Sequence, residues 1–84
     1  MQLTRGQILD KLKEVLLFVD GSKAELINKA DENTRLNEDL GLTSVGMLFT
    51  VISIEESFSI VFGDIGMDEL KTVGDVINYV SEKL

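Results

Sequence analysis

Apolar residues at Ile8, Leu12, Val15, Leu16 and Val19 recur at helical spacing, while Asp10, Lys11, Lys13 and Glu14 occupy the rest of the wheel. That pattern predicts an amphipathic first helix. Thr4 followed by Gln7 has the spacing of a capping box and marks its start. Asp20-Gly21 marks its end, where glycine can take the left-handed conformation that stops a helix. With 84 residues in all, the chain has the size of one domain, 1–84, whose core is small but sufficient.

Between Ser22 and Leu42 apolar residues are sparse, and Ser22 to Lys29 has room for a short helix. A structureless connection of this length is unusual in a compact domain and is commonly functional or packed down by its own side chains; Leu36, Leu40 and Leu42 are the expected anchors. From Ser44 to Phe58 the β-branched and aromatic content would also suit a strand. On a helix, however, Gly46, Thr50, Ser53 and Ser57 fall on one narrow stripe, whereas a strand scatters them over both faces, so the segment reads as the second helix. Glycines at 63 and 66 leave room only for a short third helix around Met67 to Leu70. Thr72 and Asp75, at capping-box spacing, then open the last helix through Val76, Ile77, Val80 and Leu84. The fold expected is all-α: a small four-helix bundle with three main helices, a short third one and a long loop between the first and second.

Composition removes several chemistries. The chain has no cysteine and no histidine, which excludes disulfides, thiolate nucleophiles, a histidine base and the common soft-metal sites. Fifteen acidic residues against eight basic ones give a formal charge of −7, which repels nucleic acid and anionic membranes and favours partners with basic patches. Met1 to Asp10 lacks the pattern of a secretory signal. The most apolar run, Val45 to Ile54, is interrupted by Gly46, Thr50 and Ser53 and falls well short of the roughly 20 residues of a membrane helix. A cytoplasmic protein without membrane insertion is expected. Asp31-Glu32-Asn33-Thr34-Arg35-Leu36 starts like a calcium loop, but Leu36 stands where that loop needs glycine and Leu42 where it needs a bidentate glutamate. The acidic pairs Glu38-Asp39, Glu55-Glu56 and Asp68-Glu69 read as solvated faces, so no metal site is expected. Gly63, Gly66 and Gly74 form no phosphate-cradling pattern.

Glu38-Asp39-Leu40-Gly41-Leu42-Thr43-Ser44-Val45 resembles the attachment motif of acyl and peptidyl carrier proteins, in which a serine follows an acidic-Leu-Gly stretch and opens the second helix. The first helix, the long polar loop, Ala30 to Thr34, Glu55-Glu56-Ser57-Phe58 and Thr72-Val73-Gly74-Asp75-Val76 match the family layout, so the resemblance covers essentially the whole chain. It implies a carrier without catalytic residues of its own, bearing a 4'-phosphopantetheine arm on Ser44. A phosphopantetheinyl transferase would transfer that arm from coenzyme A, and its thiol would hold acyl groups as thioesters. A serine at a helix N-terminus suits this role, because free N–H groups and the helix dipole stabilise a phosphodiester. The same position also suits an ordinary serine cap.

The chain departs from the family at Thr43, where aspartate is usual and where threonine can cap but supplies no charge, and at Gly46 and Phe49, where acids are common. The family orientation would turn Met47, Val51, Ile54 and Phe58 inward. It would leave Val45, Phe49 and Ile52 on a second strip beside Glu56, unless both strips are buried against the long loop. The expected partner surface is Thr43, Val45, Phe49, Ile52, Glu55 and Glu56, read by acyl-loading and acyl-transferring enzymes with basic and apolar patches, and the chain is expected to be monomeric. These departures favour a specialised carrier in fatty-acid, lipid or polyketide-type biosynthesis. An aminoacyl or peptidyl carrier, and a noncovalent helical interaction domain in which Ser44 is only a cap, are the alternatives.

Overall fold

The computed structural model describes residues 3–63 and 69–84. They form helices α1 (Arg5–Val19), α2 (Ala24–Asn28), α3 (Ser44–Phe58) and α4 (Val73–Lys83), with a 3-10 turn at Gly21–Lys23 leading into α2. Among the described residues there is no strand; one isolated antiparallel bridge joins Arg35 to Thr72. The bundle is all-α, as the sequence indicates. Of the short third helix expected at 67–70, Met67 and Asp68 lie outside the described residues. Leu70 is buried in the core.

Both capping boxes form. Thr4 Oγ1 accepts from Gln7 N at 3.1 Å while Gln7 Oε1 accepts from Thr4 N at 2.8 Å. Thr72 Oγ1 accepts from Asp75 N at 3.1 Å, and Asp75 Oδ2 returns the bond to Thr72 N and adds Lys71 N, both at 3.0 Å. Each box satisfies orphan donors of a first turn. α1 ends where expected, at Asp20, but by a different device. Gly21 does not adopt the left-handed conformation, which among the described glycines is found at Gly41 and Gly63. Asp20 ends α1 instead, because its Oδ1 accepts from Ser22 N at 3.1 Å and from Ser22 Oγ at 2.5 Å, so the chain turns directly into the 3-10 segment.

α1 packs against α3 and α4. α1 and α3 are antiparallel, since Val19 meets the start of α3 while Lys11 Nζ donates to Ser57 O near its end. Ile8, Leu12, Val15 and Leu16 of α1, Met47, Ile54 and Phe58 of α3, and Val73, Val76, Ile77 and Val80 of α4 share one core. Ile27 of α2 joins it, and Leu36, Leu40 and Leu42 fix the long connection to it as expected. Three backbone bonds stitch that connection to the entrance of α4: Leu36 N to Lys71 O at 2.9 Å, Val73 N to Thr34 O at 2.9 Å and Gly74 N to Glu32 O at 2.8 Å. Arg5 ties α1 to the same corner through Glu32 and through Asn78 Oδ1 at 2.8 Å. The stretch that resembles a calcium loop is an Asx turn, with Asp31 Oδ1 accepting from Asn33 N at 2.8 Å.

Candidate functional site: the serine at the mouth of α3

The residues before Ser44 each serve the geometry that presents it. Asp39 Oδ2 accepts from Arg35 N at 2.8 Å and its other oxygen from the Arg35 guanidinium at 3.4 Å; the amide and then the guanidinium hold the Asp39 carboxyl below its ordinary range. Glu38 pairs with the same guanidinium at 2.6 Å. Both acids of the motif therefore close the turn around Arg35. Leu40 is buried, Gly41 takes a left-handed φ of 70°, and Leu42 returns to the core. Glycine is required there because other residues rarely tolerate that conformation. Asn37 Nδ2 donates to Leu42 O at 2.6 Å and Leu42 N to Leu36 O at 3.0 Å, so the chain enters α3 from a fixed platform.

Thr43, and not Ser44, is the N-cap. Its backbone is extended, its Oγ1 accepts from Gly46 N at 3.1 Å, and its carbonyl accepts from Met47 N at 2.8 Å. Ser44 is the first helical residue, is exposed, and makes no side-chain hydrogen bond among the described residues. The amides of Ser44 and Val45 remain the unsatisfied donors of this first turn, which carries no acid. A free hydroxyl beside two unpaired N–H groups and the positive end of a helix fits an esterifying phosphate.

The α3 surface divides in two. Met47, Thr50, Ile54 and Phe58 are buried, and Val51 is half-buried against the core. Val45 is 62% exposed, Phe49 56% and Ile52 43%, so the second strip is not covered by the long loop. Leu48, 46% exposed, adds to the apolar surface and was not singled out from the sequence. The expected partner residues do not behave alike. Glu56 is exposed, whereas Glu55 is half-buried and its Oε2 accepts from Phe62 N at 2.9 Å, pinning the segment after α3. Thr50, read as part of the small-residue stripe, is buried, and its Oγ1 donates to Gly46 O at 2.7 Å. A cleft lined by Val19, Leu42, Thr43, Val45 and Phe49 adjoins Ser44.

This small helical bundle holds Ser44 outward at the mouth of α3, beside the exposed apolar side chains of Val45 and Phe49. The chain is 30% identical over 84 residues to the acyl carrier protein of Thermotoga maritima, covering 96% of this chain and 96% of that protein. It is 32% identical over 78 residues to the acyl carrier protein of Onion yellows phytoplasma, covering 89% and 95%. It is 30% identical over 80 residues to the mitochondrial acyl carrier protein of Saccharomyces cerevisiae, covering 94% of this chain and 64% of that longer protein. No protein-family model matches. The chain belongs to the acyl carrier protein family, whose members are carriers rather than enzymes. Among the described residues no helix is long and apolar enough to cross a membrane.

Proposed function

We propose that Ser44 carries a covalent 4'-phosphopantetheine arm and that the chain shuttles acyl groups as thioesters in a specialised fatty-acid, lipid or polyketide-type pathway of the cytoplasm. In the loading step, a phosphopantetheinyl transferase takes the Ser44 proton, the Oγ–phosphorus bond forms, and the bond from that phosphorus to the 3',5'-ADP portion of coenzyme A breaks. When attached, the arm supplies the thiol that the chain lacks among its own side chains. The residues of the chain supply presentation: Leu40 and Leu42 anchor the turn, Thr43 caps α3, and the Ser44 and Val45 amides face the phosphodiester's negative charge.

The observation that carries this reading is the division of labour between Thr43 and Ser44. With the cap already made by Thr43, a role for Ser44 as a cap alone loses its basis, and its exposed hydroxyl is available for modification. Val45, Phe49 and Ile52 beside Thr43 and Glu56 form the surface read by loading and transferring enzymes. Glu55 contributes by fixing the end of α3. Intact mass after incubation with coenzyme A and a broad-specificity transferase tests the proposal. Wild type should gain one arm and Ser44→Ala none; an unmodified wild type, or a modified Ser44→Ala, overturns it. Mass of the protein isolated from its host identifies the cargo.

A further inference from the structure

Phe18 is 85% exposed, more than any other large apolar residue described, although it sits next to the buried face of α1. It is not isolated. A groove of about 350 Å³ runs between α1 and α3 with Val15 as its floor, Phe18 and Glu14 on one wall, and Ser53 and Glu56 on the other. Towards the start of α3 the same two helices enclose the cleft of Val19, Val45 and Phe49 beside Ser44. Exposed aromatic side chains of both helices, Phe18 of α1 and Phe49 of α3, therefore border clefts along the one α1–α3 boundary.

The charges of the groove indicate what it accepts. Glu14 and Glu56 are exposed and take part in no ion pair or hydrogen bond among the described residues. Lys11, the cation at the far end, is already engaged: its Nζ donates to Ser57 O at 3.3 Å and lies 5.2 Å from the centre of the Phe58 ring. With two carboxylates against one ammonium the groove is net negative, on a chain whose net charge is already −7. A second copy of this chain, or an anionic lipid surface, would place like charges together, whereas a basic partner is steered in.

We propose that the α1–α3 groove is a docking site for an amphipathic helix of a partner protein, whose apolar ridge packs between Phe18 and the Phe49 side and whose flanking arginines or lysines meet Glu14 and Glu56. This deepens the carrier reading by giving α1 half of the partner surface. Its occupancy does not require the arm.

The test uses isotope-labelled full chain without the arm and a synthetic helical peptide with leucines at i, i+3, i+4 and i+7 flanked by arginines. A scrambled peptide of equal composition is the control. Saturable binding should perturb the amides of Phe18, Ser53 and Glu56 together and weaken with added salt. Phe18→Ala should weaken it about tenfold while leaving helicity unchanged, the loss of one aromatic anchor. Glu14→Lys should also weaken it, and Ser44→Ala should not. Perturbations confined to α3, unchanged affinity of Phe18→Ala, or equal binding of the scrambled peptide would each overturn the proposal. None of these readouts depends on whether Ser44 accepts the arm, so the two proposals fail separately.

Discussion

Gly6 and Gly74 offer a matched pair, because each is the second residue of a helix that opens with a threonine capping box. Alanine at either site reduces the entropy that glycine loses on folding, a gain of about 0.5–1 kcal/mol. The surroundings then separate them. A Cβ at Gly6 meets nothing closer than Thr4 Oγ1 at 3.9 Å. A Cβ at Gly74 would lie 2.8 Å from the backbone oxygen of Glu32 and 3.4 Å from its Cβ, and that oxygen is the acceptor for Gly74 N. The carbonyl must move, which costs about 1–3 kcal/mol of overpacking strain and about 0.5–1.5 kcal/mol for the weakened hydrogen bond. With the propensity gain subtracted, Gly74→Ala should lose about 2 kcal/mol, a fall in Tm of about 8–16 °C for a domain of this size. Gly6→Ala should be neutral or more stable than wild type. Urea and thermal unfolding followed by circular dichroism measure both. If Gly74→Ala matches Gly6→Ala, close packing of the long connection on α4 is not what requires glycine.

Three further predictions follow from single contacts. Thr43→Ala removes the cap of α3 and should cost about 1 kcal/mol in urea unfolding, with Thr43→Asp restoring most of it. Tyr79→Phe keeps the ring stacked 4.7 Å from Phe62 but deletes its bond to Phe62 O, and should cost about 0.5–1.5 kcal/mol with faster amide exchange in the segment after α3. Stability should fall in acid. Asp20, Asp39 and Asp75 are held below an ordinary value of 3.8, and Glu32 below 4.5, by bonds from Ser22, from the Arg35 amide, from the Thr72 amide and from Arg5 respectively. A carboxyl depressed in the folded state contributes stability above its unfolded pKa, and that contribution disappears as pH drops through the folded value. Asp75→Asn, which retains an acceptor but not the titration, should therefore show a shallower loss below the ordinary carboxylate range in pH-dependent thermal melts.

The interior limits where an acyl group could be sheltered. Among the described residues, the small space bounded by Leu12, Leu16, Leu36, Thr50, Ile54, Val73 and Val76 has a volume of about 10 Å³, roughly that of one water. A chain of several methylenes enters only if α3 and α4 move apart or the long connection lifts from Leu36. Leu36 and Val73, which bound this space, are joined to the opposite stretch by the backbone bonds Leu36 N to Lys71 O and Val73 N to Thr34 O, so the corner where Gly74 packs also borders the space.

Legibility from sequence followed the range of the forces involved. Capping boxes at Thr4 and Thr72, the buried faces of the main helices, and the anchors Leu36, Leu40 and Leu42 depend on spacing within a few residues, and these are local signals. The end of α1 at Asp20-Gly21 is legible but its device is not, because both residues carry stop signals and a side-chain bond to Ser22 prevails over glycine's left-handed freedom. Glu55 looked like one of a solvated acidic pair, since its acceptor duty to Phe62 arises only when the chain folds back seven residues later. That a helix opens at Thr43-Ser44 was legible in the letters, yet whether Thr43 or Ser44 caps α3 turned on one residue of offset, and that offset decides whether the Ser44 hydroxyl is occupied. Phe18 left a faint trace, an aromatic residue off the apolar face of α1. Its meaning depends on α3 lying antiparallel alongside, where Phe18 and Glu14 of α1 face Ser53 and Glu56 of α3 across one groove.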